Sequence, residues 1–72
     1  MYLYTHLKLD MRSREVIRKL EAHGWYEVRQ NGSHKQFQHA ARLGTVTVPH
    51  PKADLAIGTL RNIAKQSGVP LP

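Results

Sequence analysis

Val16, Ile17 and Leu20 interrupt an otherwise charged run at a spacing that a helix of 3.6 residues per turn gathers onto one side. Ser13 is a good N-cap ahead of that run, Glu15 falls in the first turn where the helix dipole favours a carboxylate, and Gly24 supplies a stop. The pattern predicts a first helix over residues 14–23. From residue 25 the period changes. Residues 25–30 and 33–39 read as extended stretches around Asn31-Gly32, a dipeptide suited to a two-residue hairpin turn. Such a turn pairs Gln30 with Ser33, Arg29 with His34 and Tyr26 with Phe37. It places Tyr26, Val28 and Phe37 on a buried face and Glu27, Arg29, His34 and Gln36 on an open one. Residues 40–44 read as a turn, residues 45–49 as a third strand with Val46 and Val48 facing one way, and residues 51–54 as a polar loop. Ile57, Leu60, Ile63 and Ala64 then return to helical spacing, with Arg61 and Lys65 on the outer side and Gly68 and Pro70 ending the run; Asp54 and Thr59 are both candidate caps. The order is α-β-β-β-α, an α+β fold in which a three-stranded antiparallel sheet carries two helices on one face.

Composition narrows the function. The chain has 72 residues, 11 lysines and arginines, and 5 aspartates and glutamates, for a net charge of +6. A chain this short hides only about 60% of its unfolded surface, which allows one modest core and disfavours a large enclosed cofactor site. With no cysteine, disulfides, zinc ribbons, iron–sulfur clusters and thiol catalysis are excluded. No apolar stretch approaches the ~20 residues of a membrane span, and the start lacks a signal-peptide pattern. We expect a soluble, cytoplasmic protein without membrane association. Residues 1–10 mix Tyr2, Leu3, Tyr4, Thr5, His6 and Leu7, a pattern that fits an added edge strand, a loose extension or an upstream start codon ahead of Met11. Lys8 and Asp10 cancel within that segment, so the excess charge belongs to the domain over residues 11–72. A polyanionic partner follows, either nucleic acid or an acidic protein.

Five histidines are the candidates for chemistry near neutral pH. His6 lies in the extension, and His23 sits at the carbonyl end of the first helix, where a structural role suffices. His34 and His39 are five apart on a strand, hence on opposite faces, with no thiols or carboxylates to complete a set. No metal or other cofactor is expected. His34, in Gly32-Ser33-His34-Lys35, follows a glycine turn on the open face with Arg29 across from it. The tetrapeptide alone describes an ordinary solvated strand histidine. Its basic neighbourhood nevertheless fits RNA cleavage, because RNA brings its own 2′-hydroxyl nucleophile and needs only a proton acceptor, a proton donor and positive charge. For the group that works with His34, His39, His50 and Ser33 all remain open.

Several blocks now stand in order: Met11-Arg12-Ser13-Arg14-Glu15-Val16-Ile17, Gly24-Trp25 through Arg29-Gln30, Gly32-Ser33-His34-Lys35-Gln36-Phe37, Val46-Thr47-Val48-Pro49-His50-Pro51, and Gly58-Thr59-Leu60-Arg61-Asn62-Ile63. Together they resemble the HicA family of bacterial toxins from Met11 to about Val69. The resemblance implies a small mRNA interferase with a double-stranded-RNA-binding-domain-like fold, held silent by a HicB antitoxin. It puts the family's catalytic histidine on His34 and makes Gly58 to Leu60 structural. Ala56 departs from the proline of many relatives, and residues 1–10 lie outside the pattern.

The leading expectation is therefore a toxin endoribonuclease with His34 as general acid or base. RNA contacts fall at the hairpin tip and the basic helix stripe: Arg29, Gly32, Ser33, Lys35, Arg61 and Lys65. The alternative is a module of the same fold that grips RNA without cutting it.

Overall fold

In the computed structural model, which describes residues 11–71, the chain folds as the expected α-β-β-β-α. The expectations for residues 1–10 lie outside the described residues. Helix α1 spans Ser13–Ala22 and sends Val16 and Leu20 completely into the core. The carboxylate of Glu15 accepts the Arg12 backbone N–H at 2.9 Å, which closes the first turn. Arg12, not Ser13, holds the N-cap position; Ser13 is the first helical residue and is itself buried. At the other end, Nδ1–H of His23 donates to the Lys19 carbonyl at 2.9 Å, and Gly24 at φ +93° turns the chain into the sheet.

Strands β1 (Trp25–Asn31), β2 (His34–His39) and β3 (Arg42–Pro49) form an antiparallel sheet in the order β1-β2-β3. Its first hairpin turns one residue later than the dipeptide rule predicts. Asn31 pairs with His34, leaving Gly32 and Ser33 as the two-residue turn, with Gly32 at φ +55°. Arg29 accordingly pairs with Gln36 instead of His34. A bulge at Val28 separates this register from the next, in which Glu27 meets Phe37, Tyr26 meets Gln38 and Trp25 meets His39. The predicted buried set is corrected on this account. Tyr26 and Val28 are exposed at 50% and 37%, whereas Trp25 and Phe37 fill the core. Glu27 shifts from the open face to the helix-covered one. The third strand also starts earlier than expected, at Arg42, after a turn at residues 40–41.

Helix α2 spans Ile57–Ser67 and buries Leu60 and Ile63. Ala56 is its N-cap, so neither Asp54 nor Thr59 serves, while Gly68 closes the helix in the left-handed conformation as expected. Both helices pack on the sheet face that carries Phe37, Val46 and Val48, and Met11 pairs with Leu55 to tie the chain before α1 to the chain before α2. Among the described residues, no helix is long and apolar enough to cross a membrane.

Phe37 lies fully buried on the middle strand against side chains from both helices. Phe37→Ala should cost about 3–5 kcal/mol through lost transfer energy and a cavity. The fully exposed Leu43 provides the contrast: Leu43→Ala should change stability by no more than about 0.5 kcal/mol. Urea unfolding of the two variants checks both values.

Candidate active site

Alternation along the strands gives the sheet a second, polar face without helices. Because the Val28 bulge reverses the parity of β1, Trp25 reaches the core while Arg29 and Asn31 reach this open face. His34 stands there opposite Asn31 on one side and Pro49 on the other. Gln36 lies between Arg29 and Thr47, and Gln38 donates to the Thr45 hydroxyl at 3.3 Å. The expected pairing of Arg29 with His34 is thus replaced by a diagonal relation on the same face. The imidazole of His34 is exposed, and no hydrogen bond to a described residue holds it.

Other predicted contact residues do not all converge on His34. Gly32 and Ser33 form the turn beside it. Lys35 points to the opposite side of β2, where its ammonium lies 2.8 Å from the Glu27 carboxylate. Arg61 and Lys65 are exposed on α2, on the helix-covered side of the sheet. The basic surface is therefore divided between the hairpin tip and the outer side of α2.

Two further histidines of the strand region are held by specific bonds. His39 has both ring nitrogens engaged: Nε2–H donates to the His23 carbonyl at 2.8 Å and Nδ1 accepts the Ala41 N–H at 2.9 Å. Its ring also leans on Trp25 with centroids 5.2 Å apart, and a Cβ on Gly24 would come within 2.8 Å of Nε2. These contacts make His39 a packing residue that joins the end of α1 to the sheet.

His50 follows β3 and occupies the other end of the sheet, where its N–H donates to the Ser33 carbonyl at 2.7 Å. Its Nδ1 lies 2.7 Å from the hydroxyl of Ser13, 37 residues away in sequence. That hydroxyl also accepts the Lys52 N–H at 2.9 Å, and the Ser13 N–H donates to the Lys52 carbonyl at 2.9 Å. Beside this knot opens a cleft of about 610 Å³ lined by Arg12, Ser13, Arg14, His50, Pro51, Lys52 and Ala53. Sequence reasoning assigned Ser13 to a helix cap and missed the pairing. No local pattern signals a bond between residues so far apart; the capping preference of serine pointed to the nearer amides.

His39→Phe should lower stability by about 1–3 kcal/mol, the net worth of its two hydrogen bonds. Thermal unfolding measures the loss.

Comparison with protein families gives a match to the family described as HicA toxin of bacterial toxin–antitoxin, over residues 13–69. A search of curated proteins finds no match. The matched stretch takes in both helices, all three strands, His34 and the Ser13–His50 pair, and the chain belongs to the HicA family of toxins from bacterial toxin–antitoxin systems.

Proposed function

We propose that this toxin is a metal-independent endoribonuclease, an mRNA interferase, in which His34 carries one of the two proton transfers of RNA cleavage. The observation that supports it best is the exposed imidazole of His34 beside a glycine turn, on a polar sheet face shared with Arg29, in a toxin of this family. The chemistry asks little of the protein. The RNA 2′-oxygen attacks the adjacent phosphorus and the bond to the 5′-oxygen breaks, leaving a 2′,3′-cyclic phosphate and a 5′-hydroxyl. One group removes the proton from the 2′-hydroxyl and another supplies a proton to the departing oxygen.

In this reading Arg29 and the backbone at Gly32 and Ser33 hold phosphates next to His34, while Arg61 and Lys65 meet a separate stretch of the RNA backbone. Lys35 contributes when a phosphate takes the place of Glu27. A toxin of this class implies a cognate antitoxin, and we assign a HicB-like protein that covers the hairpin tip.

Incubation of EDTA-treated protein with labelled RNA tests the activity. Cleavage that persists without metal is expected, whereas retarded but intact RNA would indicate a non-catalytic binding module. His34→Ala should reduce cleavage at least about a hundredfold while RNA binding stays within a few fold; an undiminished rate would remove His34 from the mechanism. Arg29→Gln should weaken binding to different RNA sequences alike and reduce the slope of log K against log salt by about 1, as read from filter binding across a salt series.

A further inference from the structure

We propose that His50 is the second proton-transfer group of this toxin and that Ser13 positions it, an inference that rests on the endoribonuclease reading above. Cleavage needs two groups, and the geometry eliminates most alternatives. Both ring nitrogens of His39 are occupied, and His23 is bonded at the far end of α1 from Ser13. Ser33 offers only an alcohol, a far weaker base near neutral pH than an imidazole, and its backbone carbonyl accepts the His50 backbone N–H. His50 remains, with Nδ1 held by the buried Ser13 hydroxyl and the ring at the edge of a cleft.

The backbone places His50 close to His34. His34 pairs with Pro49, the residue immediately before His50, and the residue before His34 receives the His50 N–H. The Ser13 hydroxyl then fixes the ring. One of its lone pairs takes the Lys52 N–H, which leaves the hydroxyl proton and the other lone pair for Nδ1. In the proposed arrangement Nδ1–H donates to that second lone pair both in the neutral ring and in the imidazolium, so the neutral ring has a bare Nε2. Nδ1 stays engaged in both states, so Nε2 is the atom that exchanges the proton. Ser13 can hold this position because it is 1% exposed and clamped to Lys52 through both its backbone and its side chain.

The half-buried His50 ring borders a cleft whose other lining includes Arg12, Arg14 and Lys52, and whose volume of about 610 Å³ lies within the range of small-molecule sites. Three cations suit a phosphodiester. His34 stands on the open face, while His50 is held from the helix side by Ser13. In the proposed arrangement a phosphate at this end of the sheet lies between the two rings, as an in-line displacement asks, because its entering and leaving oxygens lie on opposite sides of phosphorus. As the 2′-oxygen bonds to phosphorus, its proton passes to one ring; as the bond to the 5′-oxygen breaks, that oxygen takes a proton from the other. No oxidation or reduction is involved.

The test uses the full chain and a labelled RNA oligonucleotide under single-turnover conditions. His50→Ala and His50→Gln should each lower the cleavage rate at saturating protein at least about a hundredfold, with the Kd for RNA within a few fold of wild type. Added imidazole should restore part of the His50→Ala activity. Ser13→Ala should lower the rate about tenfold without changing Kd, and the ¹⁵N spectrum of His50 should change from one ring tautomer to a mixture. A 2′-deoxy RNA analogue should shift the His50 ring resonances of the wild-type protein, a measurement independent of any variant's folding. Wild-type cleavage together with a His50→Gln rate within about threefold of it, or an unmoved His50 ring with the analogue bound, would overturn the role of His50 and leave the endoribonuclease reading standing. Intact RNA with the wild-type protein would overturn both.

Discussion

One extra residue in β1 decides which side chains of the first hairpin face the core and which face outward. Without the bulge at Val28, strict alternation from the buried Trp25 would carry Arg29 and Asn31 to the helix-covered side. With it, the strand anchors Trp25 at one end and offers Arg29 and Asn31 beside His34 at the other. The ion pair of Glu27 with Lys35 has the same origin, since the register that opposes Glu27 to Phe37 leaves its carboxylate within reach of the lysine two residues before Phe37. The division between packing face and polar face therefore follows from a local break in pairing as much as from the alternation itself.

A second constraint operates at the opposite edge of the core. The first residue of α1 contributes a hydroxyl and an amide to the loop after β3, and both bonds end on Lys52. Removing that hydroxyl would strand the Lys52 amide in a part-buried place, at a cost of about 1–3 kcal/mol. Helix, loop and the His50 ring are consequently one mechanical unit. Residues 11 and 55 reinforce it, because the Leu55 N–H donates to the Met11 carbonyl at 2.7 Å and both side chains enter the core.

Much of this was legible in the chain. Helical spacing at Val16 and Leu20, and again at Leu60 and Ile63, located both helices, and Gly24 and Gly68 stopped them as their backbone angles require. The alternation of Val46 and Val48 located the third strand and its inner face. The hairpin was predicted from Asn31-Gly32 but its register was not, because turn chemistry at one dipeptide competes with the packing of Trp25 and Phe37, and the core prevails. The open-face position of His34 was anticipated, although Arg29 reaches that face through a bulge and not through a direct pair. Ser13 was misread for a physical reason. Serine hydroxyls cap helices by bonding amides two or three residues ahead, whereas this one bonds a loop 39 residues ahead, a relation fixed only by tertiary packing.

The one-sided sheet separates two kinds of tolerance to change. Phe37, Val46 and Val48 bind the helices and leave little freedom, whereas the outward row of Arg29, Gln36, Gln38, Thr45 and Thr47 supports no part of the core. Exchanges in that row touch stability by only a few tenths of a kcal/mol. A protein of this design can thus change the chemistry of a whole face by substitutions that its folding does not register, so the fold and the character of that face can vary independently.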